Sequence, residues 1–317
     1  MASRLAFAGA VAGGHLWTIG ADLRARIRPE PMPSDAPWVL EVADARYGSV
    51  RLNGRLRRGS HRTLVLVIHG LGGNRDSPYM QRAARAIAAR GWSYLRLDLR
   101  GADGLGEDYY HAGLTQDLHA VISACTDYDR VFVLGYSLGG HLVLRYATET
   151  TDTRVHAVAA VCAPLDLAAS AAAIDRRRVW IYRAHILRGL KTMYAEVARR
   201  RDLSTPTAVV ERVRTIREWD ERVIVARHGF LSVDDYYARA SVGPRLPDLA
   251  VRAAWFGARH DPMVPAHVVL PSLARASEHL TVRWFDRGGH VGFPDDVGRG
   301  RSLEAEALEF FAAGGTS

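Results

Sequence analysis

"RVFVLGYSLGGHLVLRY", residues 130–146, runs from an apolar stretch suited to a buried strand into an amphipathic helical pattern, through the turn Gly135-Tyr136-Ser137-Leu138-Gly139. Glycine and serine are ordinary turn formers, so Ser137 has a plain reading as a turn residue. The pattern G-x-S-x-G between a strand and a helix has a more specific one. A nucleophile held on so tight a turn needs glycine on both sides, because side chains there would strike neighbouring backbone. The helix that follows points its N-terminus at the serine, which favours negative charge developing there. The strand before and the helix after supply the setting this motif requires.

On either side of that turn, apolar runs and helical patterns alternate. "TLVLVIHG" reads as a buried strand, followed by a glycine loop and the helix "SPYMQRAARAIAARG", with Pro78 near its first turn and Gly91 as its stop. The strand "WSYLRLDLRG", the helix "LTQDLHAVISAC" and, beyond the elbow, the strand "VHAVAAVCAP" continue the series. Upstream, "WVLEVADARYGSVRLNGRL" predicts an antiparallel hairpin with Asn53-Gly54 as its turn. Between about Asp166 and Gly243 the pattern is helical throughout; strands resume in "VRAAWFGARHD" and "LTVRWFDRGG", and the helix "GRSLEAEALEFFAAG" closes the chain. Alternation of this kind predicts an α/β fold, a mostly parallel sheet of about eight strands flanked by helices. We read residues 1–317 as one domain, with an N-terminal arm over residues 1–37 and a helical lid inserted over residues 166–243.

A serine hydroxyl is a weak nucleophile without a base, and the base needs an orienting carboxylate. In this architecture the order is Ser, then acid, then His. Asp261, in "FGARHDPMVP", and His290, in "FDRGGHVGF", each fall just past a strand, and the 28 residues between them suit a loop, a helix and a strand. Strand C-terminal ends are where open α/β sheets place their chemistry. The plain readings are a turn-initiating aspartate before Pro262 and a loop histidine between glycines. Asp286 and His260 are neighbouring decoys. An oxyanion hole needs two backbone N–H groups, and Leu138 and Leu71 are the candidates, the latter in "VIHGLGGNRDS", where His69 and the glycines shape the loop.

The chain has 317 residues, of which 48% are hydrophobic, enough for a large core. No uncharged apolar run reaches the length of a spanning helix. The start, "MASRLAFAGAVAGGHLW", makes a feeble signal peptide, which points to a cytoplasmic protein. Cys125 and Cys162 show no metal-ligand spacing and are read as buried free thiols. The net charge of +8 is nearly all arginine spread along the chain, Lys191 being the only lysine. The clusters Arg176–Arg178 and Arg199–Arg201 read as solvated helix faces; no nucleic-acid motif accompanies them. Peripheral contact with a membrane is the most that this charge suggests. No metal or organic cofactor is expected, and the number of subunits is not legible.

Several separate motifs resemble the α/β-hydrolase superfamily, and more narrowly its YheT-like esterase and lipase branch. They are "GGHLWTI" in the arm, "HGLGGNRDSPYM", "YHAGLTQDL", "GYSLGGHLVLRY", "GFLSVDDYYARAS", "HDPMVP" and "RGGHVGF". The resemblance implies a Ser-Asp-His triad, carried here by Ser137, Asp261 and His290, acting on carboxylic esters such as medium-chain acyl esters or acylglycerols. His111 and Asp117 match the pattern and are read as loop and helix-cap structure. Two positions depart from it: Trp17 replaces a smaller polar residue, and His141 stands where asparagine is frequent. The lid residues Trp180, Tyr182, Leu187, Leu190, Tyr194, Trp219 and Phe230 are read as lining an acyl pocket, with helix packing as the alternative for each. The sequence leaves open an acyltransferase, cyclase or thioesterase using the same elbow, and a ligand-binding protein that keeps the fold without catalysis.

Overall fold

In β3 (Thr63–Ile68) and its parallel neighbour β5 (Arg130–Tyr136), nearly every side chain is buried although successive ones point to opposite faces. Both faces must therefore be covered. The computed structural model, which describes residues 12–20, 23–24 and 27–314, shows how. On one face Val65, Val67, Phe132 and Leu134 meet Met80, Ala83 and Ile87 of the helix Pro78–Ala89 and Phe311 of the helix Leu303–Ala312. On the other, Leu64, Leu66, Ile68, Val131 and Val133 meet Leu118 and Val121 of Gln116–Ala124 and Leu142 and Val143 of Leu138–Ala147.

The remaining strands are β1 (Ala36–Asp44), β2 (Gly48–Arg57), β4 (Ser93–Leu97), β6 (Val155–Val161), β7 (Arg252–Ala258) and β8 (Leu280–Phe285). All eight form one sheet in the order β1-β2-β4-β3-β5-β6-β7-β8. β1 and β2 pair antiparallel, as do β2 and β4, and every pair from β4 to β8 is parallel. The expected α/β sheet is therefore present, with the expected hairpin at one edge.

The hairpin turns elsewhere than Asn53-Gly54. Asp44 faces Gly48 across the turn, while Asn53 and Gly54 lie inside β2 opposite Val39 and Trp38. A Cβ on Gly54 would come within 2.8 Å of the Arg96 carbonyl oxygen in β4, so this glycine serves a close strand approach. The turn is held instead by Asp44, whose Oδ1 accepts from the amides of Arg46 and Tyr47 at 2.9 and 3.0 Å.

Between β6 and β7 the described chain is helical, from Leu167–Ile174 through Trp180–Ala198 to Val233–Ala240. Asp166 caps the first of these by accepting from the Ala169 amide at 2.9 Å. Of the arm, residues 1–11, 21–22 and 25–26, which include the signal-like start, lie outside the described residues; residues 12–20 are helical. Among the described residues no helix is long and apolar enough to cross a membrane. Cys125 and Cys162 are both buried and free.

Candidate active site

The C-terminal ends of β5, β7 and β8 deliver Ser137, Asp261 and His290 to one edge of the sheet. Ser137 has φ 51° and ψ −119°, a conformation an L-residue avoids unless its surroundings hold it there. Its amide donates to the Val161 carbonyl at 2.8 Å, tying the turn to β6. A Cβ at Gly135 would approach the Gly139 carbonyl oxygen to 2.3 Å, and one at Gly139 would approach the His69 and Ile68 carbonyl oxygens to 2.5 Å. Steric necessity thus accounts for both glycines. Ser137 is the N-cap of the helix Leu138–Ala147, yet its side chain caps nothing; its Oγ is engaged with His290.

That contact is 2.9 Å, from Ser137 Oγ to His290 Nε2. On the other side of the ring, His290 Nδ1 lies 2.9 Å from Asp261 Oδ2. Asp261 Oδ1 accepts from the amides of Met263 and Val264 at 2.8 and 2.9 Å, which fixes the carboxylate plane. Asp261 and His290 are buried and Ser137 is half-buried. The three residues form one hydrogen-bonded chain ending in a hydroxyl. Asp286, the decoy acid, is exposed and engaged with Arg259 at 2.7 Å.

Leu138 and Leu71 line the same cavity as Ser137 and His290. Neither amide donates to another described residue, whereas the amides flanking Leu71 do: Gly70 donates to Tyr79 Oη at 3.0 Å and Gly72 to Tyr110 Oη at 2.8 Å. The two tyrosines hold the glycine loop open at Leu71. Beneath the loop, His69 Nδ1 bonds the Gly70 carbonyl at 2.8 Å and Nε2 accepts from the Leu99 amide at 3.0 Å. Complete burial pushes this imidazole down to about 4, so it stays neutral and structural.

The cavity measures about 400 Å³. Of the seven lid residues expected to line it, only Tyr182 does. Leu187, Leu190, Tyr194 and Trp219 pack in the core, Phe230 packs against it, and Trp180 is exposed. The helix Trp180–Ala198 turns Ile181, Tyr182, His185 and Ile186 toward the cavity instead, a face displaced by part of a turn from the expected one. Apolarity could not distinguish the faces, because both meet apolar surroundings.

Two further residues corrected the expectations. Asp117 is no helix cap: Thr115 holds that position, and the buried Asp117 carboxylate grips Arg100 with contacts of 2.6 and 3.1 Å. Thr18, in the arm motif "GGHLWTI", was not expected at the site. Its Oγ1 accepts from the His290 amide at 2.8 Å and it lines the cavity. The departure at His141 leaves the cavity untouched; the ring bridges the Pro164 and Ala240 carbonyls, each at 2.9 Å, joining the elbow helix to the end of the lid. Cys162 Sγ lies close to Asp261 and His290, but burial raises the thiol pKa, so the protonated form dominates and makes a poor metal ligand.

A mostly parallel sheet with a strained serine elbow, a buried acid–imidazole pair and two amides that donate to no described residue defines the class of α/β hydrolases. Residues 63–297 match the sequence model of the alpha/beta hydrolase fold family, and the chain belongs to that family. It is 29% identical to YheT of Escherichia coli over 272 residues, covering 80% of this chain and 77% of that one. Human phospholipase ABHD3 is 23% identical over 75% of this chain, and the monoacylglycerol lipase of Saccharomyces cerevisiae 22% identical over 87%. The chain spans 60% of the phospholipase's length and 65% of the lipase's. Among solved structures, an esterase of Pyrococcus furiosus, Pf2001, shares the fold with a TM-score of 0.58 at 16% identity, over 90% of this chain and 95% of that one.

Proposed function

We propose that the protein is a serine hydrolase that cleaves carboxylic esters, of short or medium acyl chains or of acylglycerol type, through an acyl-enzyme on Ser137. The observation that carries this reading is the unbroken hydrogen-bond chain from Ser137 Oγ through His290 to Asp261, opening on an apolar cavity. Ser137 Oγ attacks the ester carbonyl while His290 Nε2 takes its proton. Asp261 holds the imidazole tautomer and stabilises its cation. The amides of Leu138 and Leu71 donate to the oxyanion. His290 then gives the proton to the departing alkoxide, and water, deprotonated by the same nitrogen, releases the acid. The esterase, phospholipase and lipase names of relatives agree with this chemistry.

The test is labelling with a fluorophosphonate probe together with turnover of p-nitrophenyl esters of graded chain length. Wild type is expected to be labelled and to hydrolyse the esters. Ser137→Ala is expected to lose the label and at least about a thousand-fold in kcat/KM. Equal labelling of Ser137→Ala, or none of folded wild type, would overturn the reading. Transfer to added alcohols in excess of hydrolysis would replace the hydrolase by an acyltransferase.

A further inference from the structure

Asp220 sits on the cavity wall, in the lid, where the helix Ile216–Trp219 continues into a π-helical turn, Asp220–Val225. Such turns occur disproportionately at functional sites. The side chain is nine-tenths buried. Its Oδ2 accepts from the Tyr237 phenol at 2.7 Å, and Oδ1 has no hydrogen-bond partner among the described residues. Arg217, the nearby cation, is turned away onto Asp234 at 2.8 Å.

This is unlike the other buried aspartates that the structure describes. Asp98 is held by the amide and guanidinium of Arg75, and Asp117 by two bonds from Arg100. Asp108 is shared by Arg100 and Arg227, and Asp261 has two amides and an imidazole. Each has both oxygens partnered, at least one by a basic side chain, as a buried carboxyl requires. Asp220 has one neutral partner and lines an otherwise largely apolar cavity. Its carboxyl is pushed up to about 7 by burial, a penalty that the Tyr237 hydrogen bond and the charge of Arg217 offset only in part.

We infer that Asp220 determines substrate specificity: its Oδ1 accepts a hydrogen bond from a hydroxyl group carried by the ester, so the preferred substrates are hydroxylated esters rather than plain alkyl ones. The Tyr237 phenol fixes the carboxyl plane and aims Oδ1 at the cavity. A site with a buried polar group rejects a ligand that leaves it unpaired more strongly than an apolar wall rejects a change in chain length. The hydroxyl has two chemical sources, the alcohol half, as in a glycerol ester, or the acyl half, as in a hydroxyacyl chain. The inference rests on the esterase reading of this cavity.

The experiment measures binding, so that it does not depend on turnover. Ser137→Ala protein is titrated calorimetrically with methyl octanoate, with monooctanoylglycerol and with the methyl ester of ω-hydroxyoctanoic acid. One hydroxylated ligand is expected to bind about ten-fold more tightly than methyl octanoate, the worth of one buried hydrogen bond, and which one does so identifies the source. Adding Asp220→Leu should bring that ratio to within about two-fold, and adding Asp220→Asn, whose oxygen keeps the Tyr237 bond while its amide N–H donates to the oxygen of the hydroxyl, should preserve it. Equal binding of all three ligands by Ser137→Ala overturns the inference, whether or not the Asp220→Leu protein folds. So does a preference that survives folded Asp220→Leu. Failure of the esterase reading shows separately, as absent fluorophosphonate labelling of wild type.

Discussion

Asp220 also shows how a single buried residue couples the site to pH. Its ordinary carboxyl value is 3.8, and in the folded protein it is raised to about 7. The native state therefore holds the proton more tightly than the unfolded chain does. The stability this confers is complete below about pH 4 and is lost as the pH rises through about 7. Asp220→Asn cannot ionise and still accepts from Tyr237. Its stability relative to wild type should rise across that window by a few kcal/mol, on the order expected for a shift of this size. Urea unfolding of both proteins at several pH values checks this, and a difference independent of pH would contradict it. Nothing in the sequence marks this aspartate, because a carboxyl in a helical, arginine-rich stretch looks solvated. The elbow serine, by contrast, is legible at once: Gly135 and Gly139 are dictated by local backbone collisions that the pentapeptide itself encodes.

Elements behave differently according to how many of their faces carry information. The central strands were legible because burial on both sides demands continuous apolarity. The helix Trp180–Ala198 was legible as a helix but not in its orientation, since one face packs in the core and another borders the cavity. Two substitutions separate these faces. Leu190, 1% exposed, fills the core, and Leu190→Ala should cost about 2–5 kcal/mol in urea unfolding. Ile181, 54% exposed, lies at the cavity edge, and Ile181→Ala should cost under about 1 kcal/mol while changing the ratio of kcat/KM between long and short p-nitrophenyl esters. If Leu190→Ala shifts chain-length preference and Ile181→Ala does not, the assignment of faces is wrong. The hairpin teaches a related lesson: Asn53-Gly54 is a good local turn signal overridden by the need for β2 to lie close against β4.

At the scale of the whole molecule, two long-range connections assemble the site. Thr18 holds the His290 amide across 272 positions of sequence. Arg100 gathers Asp44 from the hairpin, Asp108 from its own loop and Asp117 from the helix Gln116–Ala124, at 2.6, 2.9 and 2.6 Å. Asp108 also binds Arg227 of the lid, with Nη2 at 2.6 Å. Sheet edge, flanking helix and lid thus share one buried charge network. Removing one member leaves an uncompensated charge, so Asp108→Ala should cost about 3–5 kcal/mol and loosen the lid, seen as faster amide exchange in residues 226–240. A loss below about 1 kcal/mol would show that the network holds little. Thr18→Val removes an acceptor from the His290 loop and should lower kcat about ten-fold with KM little changed, as expected for a positioning residue.

The sequence alone determined the alternation of strand and helix, the strained elbow and the order of serine, acid and histidine. Those depend on periodicity and on steric conflicts between residues close in the chain. Only the tertiary structure decided which lid face meets the cavity, that Asp117 grips an arginine rather than capping a helix, and that Thr18 and Asp220 line the cavity. Each of these rests on contacts between residues far apart in sequence, where burial and the pairing of buried polar groups, rather than local propensity, set what a side chain does.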